Sequence, residues 1–192
     1  SYDTYRSRVS GRKEFAQELP VAVLAEEIMT PGEGKIRGLV AVGGNGALSM
    51  PNGKLFEGAM DQLDFMLAVD PYINETTRHA DIILPAVGPF EKSHYDLFYH
   101  TYDTMNWAAY NPPLFKPPAP GYTDFEIFRE VLSRWAALKA QSPLKKLKVR
   151  LLSSLSRLVT VELILALGVR FGPYGKGLNP FSKGITFKDL KE

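Results

Sequence analysis

Three short apolar runs, each cut off by turn-forming residues, constrain this chain more than any other feature. Ile36 to Val42 (IRGLVAV) is rich in β-branched residues and bounded by glycines. Phe65 to Val69 (FMLAV) stops at Asp70-Pro71, and Asp81 to Leu84 (DIIL) stops at Pro85. Runs of this length suit buried strands. Between the first two, Leu55, Phe56, Ala59, Met60 and Leu63 recur at three- and four-residue spacing, one side of a helix. Between the second and third, Asn74-Glu75-Thr76-Thr77 reads as the start of a short helix with Asn74 as its cap. Strand, helix, strand, helix, strand with short turns requires parallel pairing and right-handed crossovers. The expected fold class is α/β: a Rossmann-like open, mainly parallel sheet flanked by helices, with a helical C-terminal extension.

The flanks are less patterned. Residues 1–20 are polar and basic and read as a lead-in segment; Val21 to Met29 suits a short helix stopped by Thr30-Pro31-Gly32. Asn106 to Tyr122 is proline-rich loop. Asp124 to Lys139 is helical, with Phe125, Phe128, Val131, Leu132 and Trp135 on one side. After Pro143, leucines 144, 147, 151, 155 and 158 continue at helical spacing beside Lys145, Lys146, Lys148 and Arg150. A membrane-surface helix carries this pattern; so does a packed helix with a solvated basic side, which is the preferred reading. Leu163 to Val169 is too short and too closely flanked by Glu162 and Arg170 to span a bilayer. These patterns place a nucleotide-binding domain at 1–139 and a helical extension at 140–192. Neither end carries a start or stop signal, so a piece of a longer polypeptide is expected.

Composition removes several classes. The net charge of +2 is too small to argue for nucleic acid as a partner. The chain has no cysteine, which rules out disulfides, thiolate metal sites, an iron–sulfur cluster and a cysteine nucleophile within it. The compartment is left open, with the cytoplasm favoured over the periplasm.

Chemistry concentrates at one turn. Gly43-Gly44-Asn45-Gly46 follows the first strand, and backbone without Cβ atoms can approach a ligand closely. The helix start after it offers N–H groups as a phosphate seat. Ligands of open α/β sheets bind at the carboxyl ends of the strands, where this turn and Asp70 both fall. Asp70 lies 25 residues after Asn45, close to the spacing at which a dinucleotide fold places its ribose-binding acid. The glycine pattern is incomplete, because Ser49 stands where a third glycine would be. Taken alone, the turn fits a nucleotide site or a simple tight turn.

Other candidates are weaker. His79, His94 and His100 form no metal spacing with nearby carboxylates and read as surface or packed residues. Asn74-Glu75-Thr76 matches a glycosylation acceptor, but its place at a helix start favours capping. Glu91 and Asp96 could pair as acid and base, yet no nucleophile or third partner joins them.

Several strings together resemble the molybdopterin oxidoreductase family, which includes formate dehydrogenases, nitrate reductases and dimethyl sulfoxide reductase. They are Ile36 to Asn45 (IRGLVAVGGN), Leu48 to Asn52, Val69 to Thr76 (VDPYINET), Ala80 to Pro85 (ADIILP) and Phe90-Glu91-Lys92. Leu19 to Ala22, Ala25 to Ile28, Gly172 to Gly175 and Gly177-Leu178 extend the resemblance over most of the chain.

The resemblance implies a bis-molybdopterin guanine dinucleotide cofactor carrying molybdenum or tungsten, with this domain holding one guanosine diphosphate arm. On the matching positions it implies that Gly43, Gly44 and Asn45 contact the cofactor. Val69 and Asp70 would then meet the nucleoside, and Lys92 would lie near the phosphates or pterin. Gly46 departs from the family, which places proline there. No metal ligand and no catalytic residue is carried over. The full-length chain would be the oxidoreductase, and this piece alone would not be competent. The implied partners are the remaining domains of the same polypeptide and an electron-transfer subunit, and an iron–sulfur cluster could lie elsewhere in the full chain. Two alternatives stay open: a structural subunit that kept the fold and lost the cofactor, and a free-standing nucleotide-binding α/β protein.

Overall fold

The computed structural model describes residues 1–96, 102–105, 107–179 and 181–191. The chain forms two compact units, Ser1–Ala86 and Val87–Glu192.

The first unit opens with an antiparallel pair, β1 (Tyr2–Arg6) and β2 (Lys13–Phe15). The expected lead-in segment is thus a hairpin. Its sequence lacks apolar alternation because polar groups organise it. Glu14 is fully buried on β2 and accepts hydrogen bonds from the Ser1 and Thr4 hydroxyls and from the Thr4 and Gln17 amides. Arg8 in the connecting turn ion-pairs with the buried Glu27 at 3.3 Å and donates to the Thr30 carbonyl at 2.7 Å. That clamps the hairpin to α1 (Leu24–Met29), which follows a 3₁₀ turn at Val21–Val23.

The strand–helix alternation is present as expected. β3 (Gly38–Val42), β4 (Phe65–Val69) and β5 (Ile82–Leu84) form a parallel three-stranded sheet in that order. Between β3 and β4 lie α2 (Gly46–Ser49) and α3 (Gly53–Met60). The two helices meet so tightly that a Cβ on Gly53 would sit 2.0 Å from the Ala47 carbonyl oxygen. Register puts Leu39 beside Met66 and Ala41 beside Ala68. These four residues point to the side covered by α1 and α3, where Ile28, Phe56, Ala59, Met60 and Met66 make the core. Each large side chain buried there contributes about 1.5–3 kcal/mol.

Two expectations need correction. Ile36 to Val42 does not form a strand buried on both sides: β3 is an edge, and Val40 and Val42 are each 52% exposed. Continuous apolar sequence reports that a strand can be covered on both sides; which side is covered depends on where the helices lie. The short helix expected from Asn74 is a 3₁₀ turn at Thr77–His79. Asn74 does not stand at the cap position as expected: that position is Thr76, and Asn74 Oδ1 instead accepts from the Thr76 and Thr77 amides at 3.0 Å each, within the loop that leads into the turn.

In the second unit, β6 (His94–Tyr95) pairs antiparallel with β7 (Tyr110–Asn111), a pairing not anticipated in the proline-rich stretch. Three helices follow: α4 (Asp124–Lys139), α5 (Pro143–Ser156) and α6 (Val161–Phe171). Each starts at a hydroxyl cap. Thr123 accepts from the Glu126 amide, Ser142 from that of Lys145 and Thr160 from that of Leu163. α4 lies where the sequence reading places it, but the side expected to pack is only partly covered. Leu132 and Trp135 are exposed, and none of the three helices has a fully buried residue. Among the described residues no single helix is long and apolar enough to cross a membrane.

Candidate functional site

Parallel pairing decides where the site residues meet. Val42 and Val69 are opposite each other at the carboxyl ends of β3 and β4, and the Gly43 amide donates to the Val69 carbonyl at 2.9 Å. The chain therefore leaves both strands at the same sheet edge, through Gly43 on one side and Asp70 on the other. Gly43 and Gly44 have φ of 61° and 79°, in the left-handed region, and a Cβ on either would meet nothing within 4 Å. The corner is bare backbone beside open space.

Asn45 is held from two sides. Its Nδ2 donates to Glu75, and its Oδ1 accepts from the Thr76 hydroxyl at 2.8 Å. The same hydroxyl oxygen accepts from the Ala47 amide at 2.8 Å. The bond from Asn45 is the foremost reason the Glu75 carboxyl is held below its ordinary range. One side chain from the 70–77 loop thus bridges the turn and the start of α2.

Asp70 organises that loop from within. It is buried, at 5% exposure; its Oδ1 accepts from the Tyr72 amide at 2.8 Å and its Oδ2 from Asn74 Nδ2 at 3.4 Å. An ionised carboxylate has about four lone-pair sites, so acceptor capacity remains beyond these two bonds. Tyr72 and Ile73 are exposed, at 70% and 79%.

The phosphate seat expected at the following helix start is not formed there. α2 has only four residues, and its amides after Gly46 are already engaged. Ala47 N–H goes to Thr76, while those of Leu48 and Ser49 go to the Asn45 carbonyl. What the turn offers a ligand is the glycine corner itself.

Lys92 belongs to the second unit, where its Nζ pairs with Asp124 at 3.0 Å. It lines a cavity of about 880 Å³ whose wall also includes Arg129, Tyr110 and Glu162. Burial opposes the charge on Glu162. Hydrogen bonds led by the one from Ser93, at 2.8 Å, outweigh it and hold this carboxyl below its usual range.

His79 Nδ1 lies 2.8 Å from Asp61. His94 is exposed on β6. His100 is outside the described residues. Glu91 accepts from the Gly88 amide at 2.8 Å and closes a 3₁₀ turn. Among the described residues no group of three or more His, Asp or Glu is arranged to hold a metal.

Glu75 and Thr76 are the site residues that sequence reasoning passed over. Both stand in the string that carries the family resemblance, but their spacing of 30 and 31 residues from Asn45 fits no local motif. Only strand register brings them to the turn.

Comparison with known proteins adds two relatives. Over 71 residues, 36% of its length, the chain is 44% identical to the assimilatory nitrate reductase catalytic subunit of Bacillus subtilis (strain 168), covering 10% of that protein. Over 124 residues, 64% of its length, it is 24% identical to the probable oxidoreductase YyaE of the same organism, covering 18% of it. The chain is related in sequence to oxidoreductases. It spans less than a fifth of the length of these relatives, and no family model matches it.

Proposed function

We propose that this chain is the nucleotide-gripping part of a molybdenum or tungsten oxidoreductase, and that its Rossmann-like first unit helps to seat one guanosine diphosphate arm of a bis-molybdopterin guanine dinucleotide. One observation carries the reading. The bare Gly43-Gly44 corner borders open space at the sheet edge from which Asp70 also emerges, and hydrogen bonds tie Asn45 to the loop that Asp70 begins. Bare backbone beside open space, next to an acid with acceptor capacity left, suits a diphosphate and a nucleoside. The likeness to a nitrate reductase catalytic subunit supports the choice of metal cofactor.

In this reading Gly43, Gly44 and Asn45 approach the cofactor, Val69 and Asp70 meet the nucleoside, and Lys92 of the second unit supplies a cation for phosphates or pterin. The bound group supplies the redox chemistry when present. The chain binds and orients it and needs the remaining domains of the enzyme for turnover, with an electron-transfer subunit as further partner. A functional domain is drawn by what it holds, so 1–139 for cofactor binding and 140–192 for the extension stand beside the division after Ala86.

The internal bonding of Asp70 favours one competing reading, a structural subunit that keeps the fold without cofactor. Asp70→Asn in the full-length enzyme separates the two. Asparagine keeps an oxygen for the Tyr72 amide and removes the charge. A hydrogen bond to a charged group is worth about 1.5–3 kcal/mol against about 1 for a neutral one. Cofactor retention is expected to fall roughly tenfold, read as molybdenum content and guanine nucleotide released on denaturation. Unchanged values would refute the cofactor role of Asp70.

A further inference from the structure

Helix α5 presents its apolar residues outward. At 3.6 residues per turn, Leu144, Leu147, Leu151 and Leu155 form one stripe, and Leu158 follows in the turn just past the helix end. All are exposed, from 55% at Leu147 to 80% at Leu144. The least exposed positions of α5 (Val149, Ser153 and Ser156) share the opposite side, and the helix packs with α4. The packed-helix expectation is thereby reversed: small residues are covered and leucines are bare. Lys145, Lys146, Lys148 and Arg150 lie along the same helix, which has no acidic residue. α6 adds the exposed Leu163, Ile164 and Leu167.

We propose that α5 lies on an anionic lipid surface, its leucines reaching into the acyl boundary and its cations contacting phosphate headgroups. Charge decides between this occupant and another protein. A protein interface excludes lysine from its core, and four cations on a helix without an acid would need partners that α5 does not provide. At a lipid surface a lysine stem covers apolar area while its amine reaches the phosphate layer. No single described helix is long and apolar enough to cross, and α5 and α6, which reach that length only together, are bent by 77° at the break between them.

The test is co-sedimentation of the intact protein with large vesicles of phosphatidylcholine, with and without one-third phosphatidylglycerol. Binding is expected only to the anionic vesicles and is expected to weaken with salt. Each basic residue near such a surface strengthens binding about fivefold. Lys145→Gln/Lys148→Gln/Arg150→Gln should therefore cut partitioning on the order of a hundredfold, and Leu151→Ser/Leu155→Ser should abolish it. Circular dichroism checks that these exposed changes leave the fold intact. Equal binding to both vesicle types, no binding, or variants that bind like the wild type overturn the proposal. A Leu155→Cys variant should react with a polar maleimide until vesicles are added. Shielding already present without lipid would mean that protein covers the stripe, which also overturns it.

Discussion

Thr76→Val tests whether the hydrogen-bonded bridge holds the glycine corner in place. Valine matches threonine in shape and removes only the hydroxyl. In the wild type that oxygen accepts from the Ala47 amide and donates to Asn45 Oδ1, both at 2.8 Å, and Thr76 is 3% exposed. Leaving a buried donor without a partner costs about 1–3 kcal/mol. The Ala47 amide sits in a residue that is 7% exposed and bears that full cost. Asn45 is half-buried, so its oxygen can reach water and adds less. The total is about 2–4 kcal/mol, a large share of the stability of an ordinary domain. Urea denaturation of wild type, Thr76→Val and Thr76→Ser measures it. Serine keeps both bonds and should lose under about 1 kcal/mol, the value of one methyl group. Hydrogen exchange at the Ala47 amide should rise only in the valine variant. If valine lies within about 0.5 kcal/mol of the wild type, as for an ordinary surface change, and the amide stays protected, the bridge is not what holds the turn.

Two further outcomes follow from the first unit. Phe56→Ala removes a ring that is 3% exposed in the core cluster and should cost about 3–5 kcal/mol by denaturant melts; a loss under about 1 kcal/mol would mean that α3 does not anchor the sheet. Glu14 is held at a pKa of about 2, below the ordinary 4.5, first by the Ser1 hydroxyl against the opposing effect of burial, with Thr4 and Gln17 adding to it. A carboxyl lowered on folding stabilises fully above its unfolded value, and that contribution is lost as pH falls from about 4.5 towards 2. Glu14→Gln should therefore be less stable than the wild type at pH 7, with the gap closing as the buffer is taken to pH 3. A gap that stays constant would contradict this role.

The legible parts were those written in short-range pattern. β4 lies where its apolar run predicts it, and α4 begins at the expected Thr123-Asp124 boundary because the Thr123–Glu126 capping box is a local signal. Asn74 was recognisable as a residue that bonds its own loop for the same reason, its partners being two and three residues away, although the cap position itself falls at Thr76. The hairpin at residues 1–20 was illegible, since Glu14 and Arg8 act through partners scattered over Ser1 to Thr30 and leave no periodic trace.

Sequence by itself determined the alternation of strands and helices, and with it the parallel sheet, because apolar periodicity and glycine or proline breaks act within a few residues. It also determined that Gly43 to Asn45 and Asp70 would end neighbouring strands. Tertiary structure alone decided how those ends are joined. The bridge from Asn45 to Glu75 and Thr76 spans some thirty residues and exists only because parallel register brings Val42 level with Val69. It decided, too, that Asp70 turns inward to its own loop and that the α5 leucines face outward. Periodicity states which residues share a side, whereas only packing states what that side meets.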